Sequence, residues 1–212
     1  MALTGVQKTV AVTLAAIALI LGALVHKVTR PAPLDRAQLS QAGIFLFDAP
    51  RSIPEFEMVS DSAEPWTLDD LKGQWDLVFF GYTFCPDICP TTMAELRQIV
   101  TGLPEDQAEQ LQVTMVSVDP NRDTPQQLTN YLEFFNAGFR GATGTPDQLA
   151  NLARSLSIAY IEPDTSEENY LVDHSGQVVL VNPQGQYVGF LRPPLKPNEL
   201  KVWLPRIMSE LR

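Results

Sequence analysis

Leu77-Val78-Phe79-Phe80-Gly81-Tyr82-Thr83-Phe84-Cys85-Pro86-Asp87-Ile88-Cys89-Pro90-Thr91 is the stretch on which the fold turns. Its first four residues form a continuous apolar run, the pattern of a strand buried on both faces. From Thr91 to Val100, Met93, Leu96 and Val100 recur at helical spacing. Pro90 suits a first helical position, where a missing N–H leaves no bond unmade. A buried strand therefore feeds a helix, and both cysteines of the chain stand at the junction.

The same reading extends in both directions. Val113–Val118 predicts a second buried strand. Asp123-Thr124-Pro125 caps a helix to about Phe135, and Thr145-Pro146 starts another to about Leu156. Val178–Val181 and Tyr187–Leu191 flank Asn182-Pro183-Gln184-Gly185, a hairpin turn. Pro197 opens a terminal helix towards Arg212, with a kink expected at Pro205. Upstream, Gly43–Phe47 and Glu55–Val59 read as a hairpin around Asp48–Pro54, and Thr67 with Asp70 as a short helix start. Strand, helix, strand, helix, then helix, hairpin, helix is the order of an α/β thioredoxin-like fold. It implies a central mixed sheet flanked by helices, here with an N-terminal hairpin extension.

Ahead of this lies a different kind of segment. Thr9–Val25 carries no charge, with Lys8 before it and His26, Lys27 and Arg30 after it. The run reaches the roughly 17–25 residues that a membrane-spanning helix needs. A cleaved signal peptide is the competing reading, but Ala23-Leu24-Val25-His26 is a poor cleavage site. No cysteine lies near it for a lipid anchor. The expected organisation is a short N-terminus over residues 1–8, an uncleaved anchor over 9–25, a linker over 26–42 and a folded domain over 43–212. The near-balanced flanking charges leave the orientation open.

Formal charge is −10 overall. Residues 1–30 hold three of the 15 Lys and Arg and none of the 25 Asp and Glu, leaving 12 basic against 25 acidic side chains in the rest. So acidic a body repels phosphate backbones, which excludes nucleic-acid binding.

Chemistry concentrates at Cys85 and Cys89. At the start of a helix, backbone N–H groups and the dipole favour negative charge, so both thiols are expected to ionise more readily than a free cysteine. Three intervening residues bring the sulfurs close enough for a disulfide or for shared capture of a metal. The spacer is one residue longer than in the dithiol oxidoreductase motif. A purely structural disulfide or two inert buried thiols is the bland alternative. Two thiolates leave a metal short of ligands, and histidine is scarce. His26 abuts the apolar run and reads as a membrane-interface residue. His174 lies just before the C-terminal hairpin, a connection that this fold brings towards the start of the first helix. Two thiolates and an imidazole form a soft, three-coordinate set, which favours copper over four-coordinate structural zinc. Met93 packs in the core or faces the site. Asp87 tunes the site, meets a partner or is simply solvated. Asp119 lies near the metal or serves as a turn or cap. Asp173 is discounted as a partner of His174, because neighbours in an extended segment face opposite ways.

Three separated motifs then carry a resemblance. They are Gly81-Tyr82-Thr83-Phe84-Cys85-Pro86-Asp87-Ile88-Cys89-Pro90-Thr91, Val118-Asp119-Pro120 with Arg122-Asp123-Thr124-Pro125, and Asp173-His174-Ser175. In this order, from roughly Pro54 onwards, the chain resembles the Sco/SenC family of copper proteins. The resemblance implies one copper ion, Cu(I) or Cu(II), held by Cys85, Cys89 and His174, with Cys85 and Cys89 also able to pair as a redox-active disulfide. It implies a metallochaperone assisting assembly of the dinuclear copper site of cytochrome c oxidase. The copper-bearing oxidase subunit would be the partner, with another copper carrier or a thioredoxin-like reductant beside it. A thiol-disulfide reductase that keeps the oxidase cysteines reduced is the alternative. A thiol peroxidase is a third, for which Thr83 and Arg122 are available as activating groups. The family's working compartment, with no Arg-rich transit peptide here, implies a bacterial inner-membrane protein whose domain faces the periplasm. Glu162–Asn169 reads as an acidic loop beside His174.

Overall fold

The structure is a computed structural model that describes residues 4–29, 34–135, 137–161 and 170–211. The acidic stretch Glu162–Asn169 lies outside the described residues. The chain divides into two compact units, 1–34 and 35–212.

The first unit is one helix, α1 (Gly5–Thr29). Its apolar span Gly5–Lys27 covers 23 residues with a mean hydropathy of 2.3. At 1.5 Å per residue that is about 35 Å, enough to cross a hydrocarbon core of about 30 Å. The hydroxyls of Thr9 and Thr13 donate back to the carbonyls of Gly5 and Thr9, so neither is left unpaired along the span.

The second unit begins at Asp35. Its carboxylate caps α2 (Arg36–Gln41) by accepting from the Ala37 N–H. This corrects the expected linker over 26–42. Leu39 and Ala42 are buried, so the folded domain starts about eight residues earlier than its hydrophobic pattern suggested.

Eight strands follow: β1 (Ile44–Ser52), β2 (Glu57–Ser60), β3 (Pro65–Thr67), β4 (Trp75–Gly81), β5 (Leu111–Ser117), β6 (Arg140–Thr143), β7 (Val178–Val181) and β8 (Gln186–Leu191). They form one sheet in the order β1-β8-β7-β4-β5-β6-β2-β3. β4, β5 and β6 run parallel to one another, and the remaining pairs are antiparallel. The expected thioredoxin-like arrangement is present. β4 is central and buried along its whole length, as its unbroken apolar run requires.

Two upstream expectations change. The predicted hairpin between Gly43–Phe47 and Glu55–Val59 does not form. β1 pairs with β8 at one edge, while β2 joins β6 near the other edge and makes its own hairpin with β3. Both strands found partners distant in sequence, which a local pattern does not reveal. β6 went unread because Arg140-Gly141-Ala142-Thr143 has small residues in place of a bulky apolar run.

The helices lie close to expectation. α3 (Ile88–Val100) starts at Ile88, so Cys89 and Pro90 sit inside its first turn. The short α4 (Glu105–Ala108) leads into β5. Thr124 caps α5 (Pro125–Glu133) and Thr145 caps α6 (Pro146–Ser155), each hydroxyl accepting an N–H of the first turn. α7 (Pro197–Glu210) runs through Pro205 as one helix and packs on α3. At the β7–β8 turn the Asn182 side chain accepts the N–H groups of Gln184 and Gln186, and Gly185 takes the φ of +71° that the turn demands.

Candidate metal centre

The cysteine loop leaves the C-terminal end of β4 and enters α3. Cys85 donates its N–H to the Tyr82 carbonyl at 3.3 Å, closing a turn. The Cys89 N–H in turn approaches Cys85 Sγ at 3.4 Å. A helix N-terminal amide is thus aimed at the first sulfur. Both thiols are free. Cys89 lies directly over the end of β4, where only glycine fits. A Cβ on Gly81 would stand 2.7 Å from the Phe79 ring and 3.2 Å from Cys89 Sγ.

The two thiols are not equivalent. Cys89 is fully buried, whereas Cys85 keeps 9% of its surface exposed. Burial, then the hydrogen bond with Cys85, pushes the Cys89 thiol well above its ordinary pKa. For Cys89 this corrects the expectation of easier ionisation. A helix terminus offers a fraction of a kcal/mol to about 2, and loss of solvent around a buried anion outweighs it.

His174 comes from an extended segment between α6 and β7. Its backbone is held by an isolated bridge to Tyr160, with Ile161 N–H donating to Asp173 and Ser175 N–H to Ala159. The imidazole stands edge-on to Phe79 and Tyr82, each with centroids 6.1 Å away. Its Nε2 lies 3.6 Å from Cys89 Sγ, across a sequence separation of 85 residues. Nδ1 faces the Ser175 carbonyl at 3.2 Å. Donation from Nδ1–H there leaves the Nε2 lone pair turned to the sulfur, and a backbone carbonyl is a common second partner for a metal-binding histidine. Burial lowers the His174 pKa and keeps the ring neutral, the form that binds metals. Asp173 is exposed, and the Nδ1 partner of His174 is the Ser175 carbonyl rather than this carboxylate.

The predicted residues therefore gather unequally. Cys89 and His174 touch. Cys85 joins Cys89 through the amide contact. Among the described residues, no group of three or more His, Cys, Asp or Glu forms a ready-made metal cage. The donor chemistry nevertheless suits a soft ion. A soft cation held by Cys89 would take the place of the thiol proton and offset the burial penalty on its sulfur.

The other candidates have other surroundings. Met93 is buried in the core. Asp87 is exposed and makes no side-chain cap bond at the head of α3. His26 belongs to α1. Thr83 Oγ1 donates to Asp123 at 2.6 Å and accepts from Gln127 at 3.2 Å. Arg122 Nε donates to Asp119, and its second nitrogen donates to the Tyr170 carbonyl at 3.0 Å. The pair that a thiol peroxidase would use is thus engaged elsewhere.

Three residues gain roles that the sequence did not reveal. Asp123, read as part of a cap, accepts from Thr83 N–H, Thr83 Oγ1 and Ser117 Oγ, and so pins the cysteine loop to β5. Tyr170 donates its hydroxyl to Asp119 at 2.6 Å. Tyr82 accepts the Val172 N–H at 3.3 Å and ties the histidine segment to the same loop. The motifs around Tyr82, Asp119 and Asp123 marked members of this network, but not the bonds between them. Phe84 and Ile88, which flank Cys85, are 51% and 43% exposed.

Comparison with known proteins agrees with this architecture. The SCO1/SenC family profile matches residues 47–209. A Stutzerimonas stutzeri protein named "Putative copper-binding protein" is 43% identical over 180 residues, covering 84% of this chain and 88% of its own. The structure of Arabidopsis thaliana ScoI with copper bound superposes with a TM-score of 0.68 at 30% identity, covering 74% of this chain and 98% of that one. Yeast Sco1 with copper bound gives 0.71 at 28% identity, with 76% and 90% covered. With the profile spanning most of the domain and the thioredoxin-like fold bringing Cys89 to His174, the chain belongs to the SCO1/SenC family.

Proposed function

We propose that this protein carries one copper ion, as cargo, on Cys85, Cys89 and His174, and assists assembly of the dinuclear copper site of cytochrome c oxidase. The observation that carries the reading is the 3.6 Å approach of His174 Nε2 to Cys89 Sγ from a segment far along the chain. Copper-bound relatives of the same fold support the choice of metal. Two sulfurs and one imidazole favour Cu(I), and the nitrogen also admits Cu(II). The neutral imidazole and the freed sulfurs are this chain's contribution. Cys85, the less buried of the two, is the donor that a partner's ligand meets first.

The buried position of Cys89 beside Cys85 also suits a dithiol reductant. In that step Cys85 thiolate attacks a partner disulfide and one partner sulfur leaves as thiolate. Cys89 then attacks Cys85 Sγ and releases the second. Two electrons and two protons pass to the partner as the Cys85–Cys89 disulfide forms. A metal-loaded and an oxidised site exclude one another, because both use the same sulfurs. The copper-bearing oxidase subunit is the proposed partner in either role.

Thr9–Val25 acts in this reading as an uncleaved anchor in a bacterial inner membrane, with residues 1–8 cytoplasmic and the domain from Asp35 in the periplasm. A C-terminal reporter active only in the cytoplasm would overturn that orientation.

Anaerobic Cu(I) titration of the full chain in detergent tests the ligand set. One equivalent binds the wild type, and His174→Ala weakens affinity at least tenfold, about 1.4 kcal/mol. Unchanged affinity in the variant removes His174 from the site. Full reduction of the partner's cysteines by the copper-free protein selects the reductant role.

A further inference from the structure

Arg122 lies outside the sulfur–imidazole contact yet touches both segments that build it. Its guanidinium carbon sits 3.6 Å from the Tyr170 ring centroid and 4.9 Å from that of Phe84, with Tyr82 farther off at 5.8 Å. Its edge donates to Asp119 and to the Tyr170 carbonyl. Asp119 is buried, and its second oxygen accepts the Tyr170 hydroxyl. Arginine, carboxylate and tyrosine thus form a closed ring of hydrogen bonds, with the guanidinium close to the Tyr170 and Phe84 rings. Tyr170 opens the segment that ends in His174, and Phe84 immediately precedes Cys85.

We propose that Arg122 is a positioning residue that latches the His174 segment onto the cysteine loop, so that its contacts with Tyr170 and Phe84 set how His174 reaches the sulfurs. The proposal rests on the ligand set given above. Asp119 anchors the latch to the end of β5, which is itself fixed in the sheet by its parallel neighbours. A planar, multiply donating cation is required. Lysine can pair with Asp119, but it cannot also stack and reach the Tyr170 carbonyl. Tyr82 adds a second tie through the Val172 N–H, and the contacts to Tyr160 and Ala159 hold the far side of the segment. Arg122 therefore holds the Tyr170 end of a histidine arm that also meets the cysteine segment through Tyr82 and through His174 itself.

The test compares Arg122→Gln, Arg122→Lys and Tyr170→Phe in the full chain, each with His174 intact and with His174→Ala. Anaerobic Cu(I) competition against a chromophoric chelator reads affinity. Arg122→Gln is expected to weaken binding about tenfold when His174 is present, the scale of lost outer-shell partners. In the His174→Ala background it should change affinity less than about twofold, since the latch acts through that residue. Arg122→Lys keeps the ion pair and should fall between Gln and wild type. Equal losses in both backgrounds, or no loss in either, overturn the proposal.

Amide hydrogen exchange of the metal-free protein gives a second readout. In Arg122→Gln the Ile161 and Ser175 amides should exchange faster, while the Val179–Val181 amides remain protected. Unchanged exchange at Ile161 and Ser175 overturns the latch. If the wild type binds no Cu(I), the copper reading fails and the exchange result alone decides whether the latch exists.

Discussion

The two ends of the central strands supply their buried acids with donors unequally. At the site end, Asp119 and Asp123 leave the loop after β5 with no exposed surface, and each is saturated with donors. Asp119 has Arg122 and the Tyr170 hydroxyl. Asp123 has Thr83 twice and Ser117. At the far end, Asp76 near the start of β4 is equally buried, yet its partners are Gln74 at 3.4 Å and Thr114 at 3.3 Å. Burial raises its pKa to about 7, against the smaller opposing pull of those bonds and of Arg140. The contrast shows where donors have been invested. Carboxylates that fix the cysteine loop and the histidine arm are held by short bonds, while the one remote from the site has only two long ones, although burial raises the pKa of Asp123 as it does that of Asp76.

The largest effect should come from breaking the charged pair. Asp119→Ala removes the carboxylate that pairs with Arg122 and accepts the Tyr170 hydroxyl. Removing one partner of a buried pair costs about 3–5 kcal/mol, and the expected loss lies in that range. Urea unfolding at pH 7 should show it as a lower midpoint with an unchanged slope. A loss below about 1 kcal/mol would mean that the pair behaves as a surface bridge and the site end is no better secured than the far end.

Asp76 should give the next effect, with the opposite sign. Its folded pKa lies above the unfolded value of 3.8, so the native state holds the extra proton. Stability is therefore highest below about pH 4 as far as this group is concerned, and it declines as pH rises towards about 7. The linkage ceiling is about 4 kcal/mol at 1.36 kcal/mol per pKa unit. Asp76→Asn should flatten that slope and stabilise the protein at pH 8 by about 2 kcal/mol, after the cost of burying an amide. Denaturation midpoints from pH 5 to 8 check it, and parallel curves for variant and wild type would show that Asp76 does not titrate in this window.

Ser117→Ala should have the smallest effect. It removes one of the hydroxyl donors to Asp123, worth about 1.5 kcal/mol for a bond to an acid. Desolvation already raises the Asp123 pKa, and losing a donor should raise it further. The accompanying readout is Cys85 alkylation, which should quicken as the Thr83 end of the cysteine loop loosens. Unchanged alkylation with the same loss of stability would confine Ser117 to folding.

Much of the domain was legible because its signals are local. The run Leu77–Phe80 marks the central strand, and the Thr-Pro pairs at 124–125 and 145–146 mark two helix starts that the structure reproduces. Cys85 and Cys89 were legible as a reactive pair from spacing at a strand-to-helix junction. α2, β6 and the partners of β1 and β2 were not. Their evidence lies in contacts made across the sheet, with buried Leu39 and Ala42 in a stretch that reads as polar.

The sequence by itself determined the pattern of elements, the dithiol at the head of a helix and the apolar N-terminal span, because periodicity, capping and hydropathy are properties of neighbouring residues. Only the tertiary structure decided that His174 reaches Cys89, and that Cys89 is a suppressed acid while Cys85 keeps a small exposed surface. It alone turned Arg122 from a possible thiol activator into the core of an aromatic latch. Distance across the fold and loss of solvent set those properties, and neither is a function of spacing along the chain.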